Sequence, residues 1–303
     1  MKFDFMGNRF TFITGSVVVL VLSLLLLMGR GLEYGIDFKG GNIINIRFLS
    51  PMDENKVREV FGKIPNLYFK PDQVIIQAVA GGGQKEFILQ YPAPIIDEKE
   101  TGEVHSTIMK QLKELAPYEE ESLSMSNIGP TLGAEMKRQG VRAAVFSVIG
   151  ILLYLAWRFE FYSGAGAVIA LVHDLIITLG FVCLMKVEFD VTVLAACLTM
   201  LGYSVNDTIV VFDRIRENRR LMREQSFSAL INESINATLG RTINTSVTTL
   251  FTLVALLLVG GTSIKGFALT LTFGIAIGTY SSIFVASPIL LHLTGEKLER
   301  KRR

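Results

Sequence analysis

Six stretches of nearly unbroken apolar residues divide the chain. They run over 10–29 ("FTFITGSVVVLVLSLLLLMG"), 139–157, 164–185, 191–212, 243–261 and 266–292. A bilayer core takes about 20 apolar residues of helix to cross, so each stretch predicts a transmembrane helix. The sixth is longer than needed and holds Pro288 near its end, which predicts a tilt, a kink or an early exit. The first follows Lys2 and Arg9 as a signal peptide would. It is too long for a signal-peptide core and no small-x-small cleavage site follows, so an uncleaved signal anchor is expected.

Between the first two runs the pattern changes. "GNIINIRFL" alternates and predicts a strand. "MDENKVREVFGKI" puts Val57, Val60, Phe61 and Ile64 at helical spacing. "QVIIQAV" and "KEFILQY" predict strands joined by the turn signal "AGGGQ". "DEKETGEVHSTIMKQLKELA" predicts a helix with Ile108, Leu112 and Leu115 on one face, and "YEEESLSMSNI" a closing strand. The order βαββαβ over residues 41–128 predicts a ferredoxin-like α+β sandwich, with two helices on one face of a four-stranded sheet. No catalytic constellation stands out in it. His105 is read as a solvated helix-surface residue, and the carboxylates of 97–103 and 119–121 as solvated charge. A binding or mechanical domain is expected rather than an enzyme.

Half of the 303 residues are hydrophobic and the net charge is +2, so the location of the charge is more informative than its sum. Arg214, Arg216, Arg219, Arg220 and Arg223 follow the fourth span, and the chain ends "EKLERKRR". Basic loops stay in the cytoplasm, which places both termini there and the 41–128 domain outside. Lys137, Arg138 and Arg142 lie on the wrong side by this rule, which weakens after a long translocated domain. The expected division is residues 1–30 as N-terminus and first span, 31–138 as extracytoplasmic domain, 139–292 as a five-span bundle and 293–303 as a basic tail. Within the bundle, residues 213–241 form a cytoplasmic amphipathic loop. In that loop Phe227, Leu230, Ile231, Ile235 and Leu239 share one face, predicting a helix that lies along the membrane lipid. Cys183 and Cys197 both fall in apolar runs and imply no disulfide framework. No metal-ligand spacing and no phosphate-binding G-x-x-x-x-G-K-[ST] loop occur, so neither a cofactor nor nucleotide hydrolysis is expected.

Charges inside the spans carry the candidate chemistry, because an unpaired charge at bilayer depth costs from roughly 3 to more than 10 kcal/mol. Asp207, beside Asn206, lies about 9 Å inside the end of the fourth span, one apolar turn ("IVVF") before Asp213. It reads either as an interfacial residue or as a group facing a wet cavity. Arg241 enters the fifth span from the same side. With Thr245, Thr248 and Thr252 it forms one helix face, which suggests a hydrated groove facing the fourth span. Packing, with the threonine hydroxyls bonded to the preceding turn, is the other reading. His173 and Asp174 lie about 13–14 Å into the third span and form either a structural hydrogen-bonded pair or a proton relay. Desolvation and a nearby arginine act oppositely on a carboxylate. A conformational change that alters either one moves a proton, and each proton crossing the full field carries about 2.3 kcal/mol per 100 mV. After the first span, the glycines of "GIDFKGG" permit turns at positive φ, while Asp37 and Lys39 suit a surface.

"GIDFKGG" (with Gly35, Asp37, Gly40 and Gly41), "IGPTLGAEM", the "HD" pair, "GYSVNDTIVVFDRIREN" (with Asp213 and Arg214) and "GRTINTSVTTL" together resemble the SecD/SecF family of bacterial protein-export membrane proteins. The resemblance covers nearly the whole chain, in order. This family belongs to the resistance–nodulation–division superfamily of proton-driven transporters. It implies a SecF-type role with a separate SecD subunit. Such a pair assists the SecYEG channel and the SecA motor, drawing unfolded preprotein across the bacterial inner membrane with proton motive force and no other cofactor. It implies that Asp207 is the functional fourth-span aspartate, that Arg241 works with it, and that SecD supplies a further aspartate. No nucleic-acid partner is implied. A small-molecule or lipid exporter of the same superfamily is one alternative, though such proteins have larger outside domains and both halves in one chain. A passive translocon scaffold is the other, and it predicts that neutralising Asp207 leaves export intact.

Overall fold

The computed structural model describes residues 3–62, 74–79, 84–91, 98–221 and 225–302. Two compact units result: residues 34–142 with 258–266, and the remainder.

The first unit carries the βαββαβ order expected from periodicity. Strand β1 (Gly41–Arg47) is followed by helix α3 (Glu54–Gly62), strands β2 (Ile75–Ala78) and β3 (Glu86–Tyr91), helix α4 (Glu98–Leu115) and strand β4 (Ser124–Ile128). The sheet order is β2-β3-β1-β4 and every pairing is antiparallel. This is the ferredoxin-like arrangement. Ile44 and Ile46 of β1 alternate with half-exposed neighbours. They pack with Phe87, Leu89 and Tyr91 of β3, Val57, Val60 and Phe61 of α3, and Val104, Ile108 and Leu112 of α4. Of the "AGGGQ" turn only Gln84 is described, with a φ of 58°; the rest of it, the carboxylate of Asp97 and the side chains of 98–103 lie outside the described residues. His105 is not a solvated surface residue. Its Nε2 lies 3.1 Å from Asn42 Oδ1, and its ring meets Tyr91 edge-on, so burial holds its pKa below the usual histidine value. The same burial pushes the Tyr91 phenol up.

"GIDFKGG" builds a short helix, α2 (Ile36–Lys39), before β1. Gly35 has an ordinary φ of −69°, so only part of the expected glycine turn is real. Gly40 has φ 77° and ψ 153°, which only glycine adopts readily. A side chain on Gly41 would meet Ile36 Cγ2 and the Tyr91 carbonyl, each at 2.9 Å. Gly133 of "IGPTLGAEM" packs on the same turn, where a Cβ would sit 2.8 Å from the Gly40 nitrogen. Two motifs far apart in sequence are therefore the two sides of one close backbone contact. In the same unit Lys137 sits over the Tyr34 ring and Arg138 pairs with Glu135, which gives these out-of-rule cations local partners.

The other unit holds the membrane helices apart from their residues 131–142, 258–259 and 264–266. Among the described residues, six helices are long and apolar enough to cross a bilayer: Arg9–Gly29, Thr131–Arg158, Phe161–Leu184, Val191–Leu221, Phe227–Val259 and Ile264–Thr294. Helix α1 (Arg9–Gly29) buries only Ser16 and Ser23, one face of small residues. The packing is the reverse of a soluble helix, because lipid solvates leucine while close helix approach requires small side chains. Ser23 lies against Gly180 of α6 (Phe161–Leu184), where no side chain would fit. Helix α5 (Pro130–Arg158) follows the domain, and α7 (Val191–Leu221) and α8 (Phe227–Val259) follow α6. The sixth span is α9 (Thr262–Ser281), a π-helical turn (Ser282–Ala286) and α10 (Ser287–Arg302). Pro288 has no N–H and crowds the preceding turn, and a wider π turn relieves that conflict. Ser287 Oγ donates to the Ser282 carbonyl across this turn.

The expected membrane-surface helix at 226–239 is instead the first third of α8, which runs unbroken into the fifth span. Leu230, Ile231 and Ile235 are buried in the bundle core, and Phe227 and Leu239 pack against it. Protein covers this face. The N-terminus helps: Phe5 and Met6 are buried, and Asn232 and Asn236 hydrogen-bond to the backbone of Phe3 and Met6 and to Asp4.

Candidate functional site

Asp207 lies on the buried face of α7 with Met200, Ser204, Thr208 and Val211. That face turns inward because its other members are apolar or small. Two hydroxyls meet the carboxyl: Ser246 of α8 and Thr279 of α9, each 3.4 Å from Oδ2. These hydroxyls are 2.7 Å from one another. Each also reaches a carbonyl of its own helix, Ser246 to Thr242 at 3.0 Å and Thr279 to Ile275 at 2.8 Å. A hydroxyl has one proton to donate, so both cannot satisfy every acceptor at once. An ionised Asp207 draws both protons toward itself. A neutral one lets them return to the helix carbonyls. The three groups form a hydrogen-bonded polar node inside the bundle. Asn206, on the exposed side of α7, adds a side-chain interaction with the same carboxyl.

Arg241 is not part of this node. It is exposed, and its side chain makes no ion pair or hydrogen bond among the described residues. The predicted stripe of Arg241, Thr245, Thr248 and Thr252 does not line a groove against the fourth span. Its three threonine hydroxyls bond back to Arg241, Asn244 and Thr248 carbonyls at 2.9, 2.9 and 3.3 Å. The face of α8 that turns inward is Thr242, Ser246 and Leu253. Tight packing on α7 and α9 selects the smaller polar stripe, and the long arginine is rotated outward.

His173 and Asp174 are both buried, the aspartate completely. His173 Nδ1 lies 2.8 Å from Asp174 Oδ1. Ser204 of α7 donates to Asp174 Oδ2 at 2.5 Å, and Ser281 at the end of α9 donates to the same oxygen at 2.6 Å. The hydrogen bond within the pair, one of the two readings the sequence left open, is present, with two hydroxyl partners that sequence reasoning missed. Ser204, Ser246, Thr279 and Ser281 look unremarkable singly. The available signal was that each is a small polar residue within three positions of a charge or within a polar span face.

Asp213 and Arg214 lie beyond this node along α7. Asp213 pairs with Arg158 at 2.5 Å, and Arg214 pairs with Glu217 at 2.7 Å. Asn218 donates to Ser234 at 2.9 Å, fixing the end of α7 to α8. Of the first motif, Gly35, Gly40 and Gly41 are buried, Asp37 is half-buried and Lys39 is exposed.

Six helices long and apolar enough to cross a bilayer, buried carboxylates met by hydroxyls, and a ferredoxin-like domain after the first span define a multi-pass membrane protein. Comparison with known proteins narrows this. Residues 107–296 match the family described as protein export membrane protein SecD/SecF, C-terminal, and residues 25–48 match the SecD/SecF GG motif. The protein translocase subunit SecF of Calditerrivibrio nitroreducens is 40% identical over 296 residues, covering 95% of this chain and 92% of that protein. The SecF subunit of Magnetococcus marinus is 41% identical over 290 residues, covering 95% and 91%. The crystal structure of SecDF, a translocon-associated membrane protein from Thermus thermophilus, superposes with a TM-score of 0.82 at 34% identity. The alignment covers 97% of this chain and 39% of the SecDF chain. A SecDF structure in a super-membrane-facing form gives a TM-score of 0.72 at 32% identity, covering 100% of this chain and 40% of that one. The chain belongs to the SecD/SecF family of protein-export membrane proteins.

Proposed function

We propose that this chain is the SecF-type subunit of a proton-driven translocase accessory complex. It works with a SecD subunit beside the SecYEG channel and the SecA motor to draw unfolded preprotein outward. The observation that carries this reading is Asp207, a buried carboxylate in the family-matched region that meets the Ser246 and Thr279 hydroxyls and the Asn206 side chain. A transmembrane proton gradient supplies the work and no organic cofactor or metal is needed. The chain is a transport factor rather than an enzyme. Both termini and the Arg-rich end of α7 face the cytoplasm, and the ferredoxin-like domain faces outward, where it holds emerging polypeptide.

Arg241 and the Thr245–Thr248 stripe point away from this chain's own core. A guanidinium left on a lipid-facing helix is expensive, so SecD is assigned to cover it and to provide the opposing carboxylate. Proton coupling then runs through both subunits, with Asp207 on one side of α8 and Arg241 on another. The SecDF relatives, of which this chain matches about two fifths, support such a pairing.

The test is Asp207→Asn in cells carrying no other copy. The variant should reach normal abundance and co-purify with SecD, while gradient-dependent stimulation of export is lost. Undiminished export would instead establish a passive scaffold.

A further inference from the structure

The geometry points to a second proton-binding centre at His173–Asp174, separate from Asp207 and linked to it through the sixth span. This extends the proton-coupled reading above by assigning the site a second exchanging group.

Asp174 has a completely buried carboxyl with three hydrogen-bond donors on two oxygens. His173 is 6% exposed, and its Nε2 has no partner among the described residues. When Nδ1–H donates to Asp174 Oδ1, that Nε2 presents a buried lone pair. Buried polar groups are rarely left unpaired, so this nitrogen is a place for a proton to bind. In the unprotonated state the pair carries one negative charge. One added proton, on Nε2 or on the carboxyl, makes it neutral overall.

Among the described residues of the elements packed on α6, none brings a permanent countercharge to this level. Helix α1 carries no charged residue between Phe10 and Gly29. At the level marked by Ser204 and Ser281, α7 contributes Tyr203 and Asp207, and α9 contributes Tyr280, which bonds to Ser16 of α1. From α10 the titratable group before the tail is His292. No lysine or arginine stands among these. A negative pair here is therefore held only by hydroxyls and imidazole, a condition suited to a group that exchanges a proton rather than one locked in an ion pair.

The link to Asp207 is the sixth span. Thr279 reaches Asp207, and Ser281 reaches Asp174. Two residues are about 200° apart around a helix, so this span is gripped by a carboxylate on each side. Immediately after Ser281 the π-helical turn begins. Ser281 Oγ has an alternative acceptor, the Gly278 carbonyl at 3.1 Å. Protonation of the pair weakens the pull on the Ser281 hydroxyl, which turns back to its own helix and loosens the sixth span from α6. Ser204, one turn from Asp207 on α7, couples the fourth span to the same event.

The experiment is infrared pH titration of carboxyl bands in the membrane-embedded complex, from about pH 4 to about pH 10. Asp207→Asn is compared with the Asp207→Asn, Asp174→Asn double variant. A titrating band should survive in the first and vanish in the second. Identical spectra would overturn the proposal while leaving the role of Asp207 untouched. Asp174→Asn alone should also change the pH profile of gradient-driven export at normal SecD co-purification, with Asp174→Glu restoring part of it. An unchanged profile overturns the proposal as well. If Asp174→Asn fails to accumulate, Ser281→Ala serves. It removes one donor to the ionised form, so the surviving band should persist to higher pH. An unmoved band counts against the proposal.

Discussion

Replacing Gly40 with alanine should destabilise the ferredoxin-like domain by about 2 kcal/mol. The backbone there has φ 77° and ψ 153°, where a Cβ collides with its own peptide units. Such conformations cost about 1–3 kcal/mol for residues other than glycine. Nothing nearby can relax, because Gly133 packs its backbone on one side and Gly41 enters β1 on the other. A change of ~2 kcal/mol alters the folded-to-unfolded ratio by roughly 30-fold. The assay is urea unfolding of residues 34–142, a stretch that closes its own hydrophobic core. The midpoint should fall with an unchanged slope, since the buried surface is the same. Gly62→Ala is the control. It is helical with no atom within 4 Å of a built Cβ, so it should be neutral or stabilising by up to ~1 kcal/mol. A Gly40→Ala protein within about 0.5 kcal/mol of wild type, the range of an ordinary surface change, would refute the claim that this glycine is required by its dihedrals.

Arg241→Met should abolish gradient-driven stimulation with Asp207 intact. Because Arg241 does not reach Asp207 within this chain, the carboxyl titration of the isolated chain should be unchanged and only that of the SecD-bound complex should differ. A change in the isolated chain would restore a direct pairing. Burial holds His105 below the usual histidine value of about 6.5, so the unfolded domain binds the extra proton first. Domain stability should then be fully present above that pH and decline as pH falls below it. His105→Gln should flatten this slope in denaturation curves taken across the window, and an equal slope in both proteins would show that His105 is not its source.

Much of this molecule follows from local composition. The six spans and the βαββαβ order could be read directly, since bilayer crossing depends on a run of about 20 apolar residues and strand or helix on the period of burial. Asp207, His173 and Asp174 stood out for the same reason: a charge within such a run is visible without knowing its neighbours. Which groups those charges meet was not legible. On α8 the stripe Arg241, Thr245, Thr248, Thr252 and the stripe Thr242, Ser246, Leu253 differ by about one residue, roughly 100° of helix rotation. Each is a consistent face by sequence alone. Rotation is decided by packing: a serine fits between α7 and α9 beside Asp207 and an arginine does not, so Ser246 turned inward and Arg241 outward. The same holds for 226–239, whose apolar face suits lipid or protein equally until the N-terminal Phe5 and Met6 and the bundle core cover it. It holds again for Gly40 and Gly133, which lie 93 positions apart in number and touch only because the sheet returns β4 beside β1. Sequence periodicity records how each segment partitions between water and an apolar phase. The identity of the neighbour depends on contacts between segments, and only the folded chain brings those together.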